Sequence, residues 1–366
     1  MIPYLPWENQ KGANPSMSII EKKDKILGIV YAYTPEKRYD MVLDLGVQWI
    51  RLGVGFPWTD KMFGTRSPHW EHMKEEFRIA VDAGLKVMPG TPGMGGWSFN
   101  KEENVTKWHD SWPDFVGEKG TREYYDNVRA TAKFMCEDLG PLAGNLWQCM
   151  NEIDIPTFSG DYPVEVAVDT CRATAEGIME ANPDALCGTN FAGWNENARK
   201  VGDLLFRPGH KFRYCGDDQY YGSWQGDTVE KWTQTIDEMY ERYGLPVLIN
   251  EWGYSSSGAT LTERPDPSLL PDGWPDVCYT KSWFHDVPGG HTPETAAAYF
   301  RRGLEIFANH PHVLGNFMFC FSDATNCWHC GQPECPAECS WGLVDVDCKP
   351  KPAYWAAKQA IAEFYR

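Results

Sequence analysis

Residues 228–253, TVEKWTQTIDEMYERYGLPVLINEWG, contain one complete helix-to-strand unit. The run 228–243 reads as an amphipathic helix stopped by Gly244, because glycine is the residue that most readily closes a helix. The apolar run 246–250 follows as a short buried strand, and it leaves Glu251, Trp252 and Gly253 just past its C-terminal end. The same rhythm extends in both directions. Strands are expected at 26–33, 47–56, 86–89, 145–150, 185–190, 212–219 and 246–250, and an eighth at 313–321. Helices are expected at 70–83, 121–139, 163–181, 197–206, 228–243, 293–309 and 353–365. A further one opens at Thr34-Pro35-Glu36, where Thr34 suits the cap and Pro35 the first turn. Eight strand–helix pairs in alternation define an α/β chain folded as a single (β/α)₈ barrel over 1–366, with its chemistry at the C-terminal ends of the strands. The rival, a doubly wound open sheet, carries a glycine-rich turn after its first strand, and this chain has none.

Two connections are too long to be simple strand-to-helix loops. The insertion 255–292 contains Pro265, Pro267, Pro271, Pro275 and Pro288, and the insertion 322–350 is rich in cysteine. Both follow strands at the expected active face, after strands seven and eight, and are read as walls of a pocket.

Composition narrows the partners. With 34 basic against 51 acidic residues the net charge is −17, which argues against nucleic acid and anionic membrane surfaces, since both require clustered Lys and Arg. The same balance weighs slightly against a polyanionic substrate. No apolar run approaches the roughly 20 residues that span a bilayer. The opening Met1-Ile2-Pro3-Tyr4-Leu5 lacks the pattern of a signal peptide. It reads as cytoplasmic if the chain is complete, and as secreted or periplasmic if a leader has been removed. Seventeen Trp, 17 Tyr and 17 Phe supply core volume and also flat faces suited to sugar rings.

The chemistry is carried by two glutamates. Strand four ends Cys149-Met150-Asn151-Glu152 and strand seven ends Leu248-Ile249-Asn250-Glu251-Trp252-Gly253. In an eight-stranded barrel these ends lie across the mouth from each other. Glycoside cleavage needs such a pair: one carboxyl protonates the leaving oxygen and the other attacks the anomeric carbon or activates water. A lone Glu after a strand is usually a solvated loop residue; two at these particular strand ends are not readily accidental.

Asn-Glu after strand four with a second Glu after strand seven resembles clan A of the glycoside hydrolases, and Val-Leu-Ile-Asn-Glu-Trp-Gly is similar to that clan's nucleophile strand. The resemblance implies a retaining double displacement with Glu152 as acid/base, Glu251 as nucleophile and Asn151 bonding the sugar 2-hydroxyl. Arg51 matches the arginine that clan members often place near the end of strand two, where it keeps the nucleophile charged. Asp218-Gln219-Tyr220-Tyr221-Gly222 lies where relatives have His-x-Tyr. Tyr220 or Tyr221 is therefore expected to bond the nucleophile, with Asp218 departing from the usual histidine. Strand eight departs as well: Phe319-Cys320-Phe321-Ser322-Asp323 stands where many members end in a Trp, and Trp328 or Trp341 is the expected replacement. Trp58, Trp97, Trp194, Trp224 and Trp252 follow strands at the active face; Trp97 and Trp252 are the preferred sugar contacts, although each alone is more often packing.

The twelve cysteines form two populations. Cys149, Cys187, Cys215 and Cys320 on strands, with Cys136 and Cys171 on helices, read as buried free thiols, which favours a reducing setting. Cys327, Cys330, Cys335 and Cys339 fall at C-x₂-C-x₄-C-x₃-C spacing in one loop, a pattern suited to one structural Zn²⁺. Disulfides are the alternative, with Cys278 and Cys348 as further partners. No cofactor is expected for catalysis. The function expected from sequence is hydrolysis of β-linked neutral glycans of the glucanase or mannanase kind. An exo-acting β-galactosidase or related β-glycosidase is the first alternative, and a carbohydrate-binding pseudoenzyme the second.

Overall fold

The computed structural model describes residues 20–32, 37–100, 103, 105–271 and 273–365. Its centre is a closed, all-parallel barrel of eight strands: β1 (Ile26–Val30), β2 (Trp49–Gly53), β3 (Lys86–Gly90), β4 (Leu146–Gln148), β5 (Leu186–Phe191), β6 (Tyr214–Asp218), β7 (Val247–Trp252) and β8 (Val313–Met318). Each strand pairs with the next in sequence, and β8 returns to β1 through Ile26 opposite Gly315 and Ile29 opposite Met318. The (β/α)₈ expectation therefore holds. Every residue of β1, β7 and β8 is buried, as it must be where one face fills the barrel and the other is covered by helices.

The helices start and stop where local chemistry directs. Arg122–Leu139 is capped by Thr121, whose hydroxyl accepts from the Tyr124 N–H at 3.2 Å. Pro293–Asn309 is capped by Thr292, with proline in its first turn. Lys231–Tyr243 ends at Gly244, whose φ of 66° is the left-handed conformation glycine favours. That helix begins at Lys231 rather than at the expected 228; Thr228 instead bonds Glu230 through its hydroxyl at 2.7 Å. The helix after β1 is Tyr39–Leu45, and the expected cap at Thr34-Pro35 lies outside the described residues. No described helix is long and apolar enough to cross a membrane.

Three features go beyond simple alternation. After β3 an antiparallel hairpin, Gly95–Asn100 with Val105–Asp110, rises from the active face, with Trp97 opposite Trp108. The sequence pattern predicts no strand in this stretch. In the insertion after β7, Ala259–Thr260 pairs with Ser282–Trp283, and Asp276–Thr280 forms a short helix. That insertion is bonded to the one after β8: the Ser255 hydroxyl donates to the Pro336 carbonyl at 3.0 Å, and the Ser256 N–H to the Ser340 carbonyl at 2.9 Å.

Candidate active site

The site begins with an irregularity in β7. Asp217 and Asp218 of β6 are consecutive, yet they lie opposite Ile249 and Glu251; on the other side, Asn316 and Met318 of β8 lie opposite Ile249 and Trp252. Thus β7 carries one residue more than each neighbour between Ile249 and Trp252. Such bulges re-aim side chains at strand ends. Asn250 turns into the barrel, its amide donating to Gln148 Oε1 at 2.8 Å, and Gly216 makes room, since a Cβ there would stand 2.2 Å from Asn250 Oδ1. Glu251 faces the mouth. Trp252 turns outward and is fully buried against Phe300 and Phe307, with its indole N–H on Asn316 Oδ1 at 3.0 Å. The expectation that Trp252 contacts sugar is thus corrected: the bulge sends the ring into the barrel–helix layer.

Glu251 is held at both oxygens. Arg51, from β2, forms an ion pair with Oε1, and the Tyr220 hydroxyl donates to Oε2. Arg51 also donates to the Asn250 carbonyl at 3.0 Å and to Asn151 Oδ1 at 3.3 Å. Burial works against the Arg51 charge, but Glu251, Asp218 and Tyr220 outweigh it and hold the guanidinium above its ordinary value. Burial, then Glu251, push the Tyr220 phenol well up, so it stays a donor. Of the two tyrosines expected here, Tyr220 occupies the site. Tyr221 points away and shares a hydrogen bond with Thr235 at 2.5 Å behind the barrel.

At the end of β4 the chain takes left-handed conformations at Met150 (φ 62°) and Glu152 (φ 42°), which L-residues adopt at a cost of about 1–3 kcal/mol each. The turn is pinned by the Met150 N–H donating to the Thr91 hydroxyl at 2.9 Å and by the Gln148 amide donating to the Met150 carbonyl at 2.9 Å. Asn151 lines the cleft, and its Oδ1 accepts from Gln148, Asn190 and Arg51, which fixes the orientation of the amide. Glu152 then meets Asp218. Burial, Glu251 and Asp154 raise the Glu152 carboxyl well above the usual range, while Arg51 and a hydrogen bond with Asp218 oppose them. Asp218 is itself pushed well up by burial, Glu251 and Glu152, and it accepts from the Asn190 amide. Burial and two neighbouring carboxylates thus make Asp218 hold its proton more tightly than an exposed aspartate does.

The cleft encloses about 580 Å³. Trp97 on the hairpin, Trp224 after β6, and Trp328 and Trp341 from the insertion after β8 line it, together with Phe158 and Phe319. Trp341 packs edge-on against Tyr220 at 4.9 Å and against Phe319 at 6.0 Å, so it backs the tyrosine that bonds Glu251. Trp58 is buried among Phe56, Phe63 and Phe134, and Trp194 packs on Phe191 with its N–H on Glu238, so neither lines the cleft. Sequence reasoning passed over the buried amides Gln148 and Asn190, whose signal is a polar side chain inside an apolar strand. It also passed over His329 and Glu338, which pair at 3.2 Å in the cleft wall.

The four cysteines expected to converge do not all do so. Sulfurs of Cys278, Cys327, Cys330 and Cys335 lie within 4.8 Å of one another, whereas Cys339 faces the Gln332 carbonyl at 3.9 Å. Cys278 comes from the other insertion, a partnership that spacing within one loop could not reveal. All twelve cysteines are buried.

Behind the site, Asp217 is fully buried and neither carboxyl oxygen accepts a well-formed hydrogen bond. Burial, then Asp154, push it well above the usual carboxylate range, and Asp154 itself is raised by burial to about 6. A carboxyl whose folded value exceeds its unfolded one binds its proton more tightly when folded, so stability falls as pH rises above about 4. Asp217→Asn keeps the shape and removes that proton linkage. Its melting temperature should match the parent near pH 4.5 and exceed it by a few degrees at pH 8, measured by thermal unfolding at both. An unchanged difference between the two pH values would mean that Asp217 is not a neutral acid in the fold.

No protein-family model matches the chain, and no curated protein matches it in sequence. Solved structures do match in shape. An exo-β-1,4-mannosidase from an Opitutaceae bacterium aligns at TM-score 0.61 and 17% identity, over 93% of this chain and 60% of that one. The catalytic domain of a family GH53 protein from Ignisphaera aggregans aligns at 0.58 and 15%, over 95% and 98%. A β-glucuronidase from Bacteroides uniformis aligns at 0.59 and 15%, over 92% and 35%. At such identities the likeness is one of fold. The chain spans about a third of the glucuronidase and three fifths of the mannosidase.

Proposed function

We propose that the protein hydrolyses β-glycosidic bonds in a neutral oligo- or polysaccharide with retention of configuration, and that the reaction uses no cofactor. The observation that carries this reading is the asymmetry of two carboxyls in one aromatic cleft. Glu251 is ion-paired with Arg51 and bonded by Tyr220, whereas burial, then Glu251 and Asp154, raise the Glu152 carboxyl well above the usual range. A glycosidase needs that division: one carboxylate to attack and one acid to donate. In the first step a Glu251 oxygen bonds to the anomeric carbon as the bond to the leaving oxygen breaks, and Glu152 passes its proton to that oxygen. In the second, the Glu152 carboxylate takes a proton from water, whose oxygen bonds to the anomeric carbon and frees Glu251. In this reading the Asn151 amide bonds the 2-hydroxyl, and Trp97, Trp224 and Trp328 of the cleft lining stack on sugar rings.

Neutral sugar is favoured by charge. Among the described lining residues the basic side chains are Arg51 and His329, paired with Glu251 and Glu338. A uronate carboxylate would find no unpaired cation among those described residues, and burying it without one is costly. A panel of chromogenic β-glycosides, beginning with mannosides and glucosides, followed by proton NMR of the first product, tests both parts. The expected result is turnover of neutral substrates with the β-anomer appearing first. An α-anomer first would require an inverting arrangement, and turnover confined to glucuronides would refute the neutral substrate.

A further inference from the structure

The convergence of Cys278, Cys327, Cys330 and Cys335 is not used by the proposed chemistry. Cys278 stands on the helix Asp276–Thr280 of the insertion after β7, and the other three belong to the insertion after β8. All four are buried. Cys278 Sγ lies 3.7 Å from Cys327 Sγ and 3.6 Å from Cys335 Sγ. Four sulfurs at about 2.3 Å from a tetrahedral zinc stand about 3.8 Å apart, and a disulfide needs about 2.05 Å. The observed spacings fit the edges of such a tetrahedron.

The surroundings fit a closed metal site as well. Gly331 (φ 68°), directly after Cys330, donates its N–H to the Cys327 carbonyl at 2.8 Å, turning Cys327-x₂-Cys330 so that both sulfurs face one point. Four thiolates around Zn²⁺ leave a net charge of −2, and Lys281 Nζ stands 3.8 Å from Cys330 Sγ to offset part of it. Val277, Trp283, Ala337 and Trp341 pack in the same cluster and shield it.

We infer that these four cysteines bind one structural Zn²⁺ that clamps the two active-face insertions together and fixes the cleft wall at Trp328 and His329. Those two residues lie between the ligands Cys327 and Cys330 and line the cleft, so whatever holds the ligands holds them. The link joins chain positions 49 residues apart, and closing so long a segment offsets the entropy of ordering it. A tetrahedral tetrathiolate site suits Zn²⁺, with iron as the competitor that elemental analysis separates, and an ion with no open position takes no part in the chemistry.

The test is metal content of the full chain. Purified protein should contain about one zinc per chain by elemental analysis, and its zinc X-ray absorption should fit four sulfurs near 2.3 Å. Cys278→Ser and Cys330→Ser should each lose the metal, while Cys339→Ser should keep it. The inference is overturned if Cys278→Ser retains full zinc or if Cys339→Ser loses it. It is also overturned if the wild-type protein carries no stoichiometric zinc, or if mass spectrometry without reduction finds the four cysteines in disulfides. Should the serine variants fail to fold, the wild-type absorption spectrum decides, because any first shell other than four sulfurs excludes this ligand set. None of these readouts depends on the protein being a glycosidase.

Discussion

Glu251→Ala should lower kcat/KM on every glycoside tested by at least about 10⁴-fold, the scale on which removing a nucleophile acts. The size follows from what the side chain does: without it no covalent intermediate forms, and water is left to attack without the acid/base chemistry arranged for it. The substitution also strips the part-buried Arg51 of its ion-pair partner, and leaving that charge unpaired is destabilising. A lower melting temperature is therefore expected alongside the lost turnover. Folding loss must be separated from chemistry, so the variant is assayed well below its own melting point. In parallel, the parent enzyme is incubated with a 2-deoxy-2-fluoro β-glycoside bearing a good leaving group, which stalls the second step. Peptide mapping should place the sugar on Glu251. Near-parental activity in Glu251→Ala, or a label on Glu152, would overturn the assignment of roles.

How much of this was legible in the sequence follows from what each signal depends on. Strands and helices were readable because burial on both faces demands continuous apolar runs, as in β7 and β8, and because Thr121, Thr292 and Gly244 mark helix ends by local chemistry. Glu152 and Glu251 stood out only as a pair, because the ends of strands four and seven face one mouth, and Arg51 because an arginine amid apolar strand residues calls for a partner. Features that depend on partners distant in the chain were not readable. The bulge in β7, which sends Trp252 outward and Glu251 inward, is a relation between three strands and leaves no mark in one of them. The choice of Tyr220 over Tyr221 depends on which of two consecutive side chains meets Glu251 and which meets Thr235, both distant in the chain. Cys278 joins the sulfur cluster through the meeting of two insertions, so a search for close spacing found Cys339 in its place. The hairpin after β3 had a usable signal in the turn that Asn100 makes with Glu103, whose N–H donates to the Asn100 side chain at 3.2 Å.

Glu152→Ala should divide substrates by leaving group. General acid assistance contributes about 10²–10⁴-fold, so glycosides with poor leaving groups, natural linkages among them, should slow by that factor. A dinitrophenyl glycoside departs without a proton, so its glycosylation step should be nearly unaffected. The glycosyl-enzyme then accumulates, because no base remains to activate water. Azide needs no base, and it should restore turnover and yield a β-glycosyl azide. The pH profile supplies an independent check. Burial, Glu251 and Asp154 hold the Glu152 proton well above the ordinary carboxylate range. In the parent, kcat/KM on a poor-leaving-group substrate should therefore persist to higher pH than an exposed glutamate would permit, and then fall as that proton is lost. In Glu152→Ala, assayed on the dinitrophenyl glycoside, the alkaline fall should disappear, because no group is left whose deprotonation stops the step. If the limb persists in the variant, some other acid sets it. If azide leaves the rate unchanged and no glycosyl azide forms, Glu152 is not the residue that serves both steps.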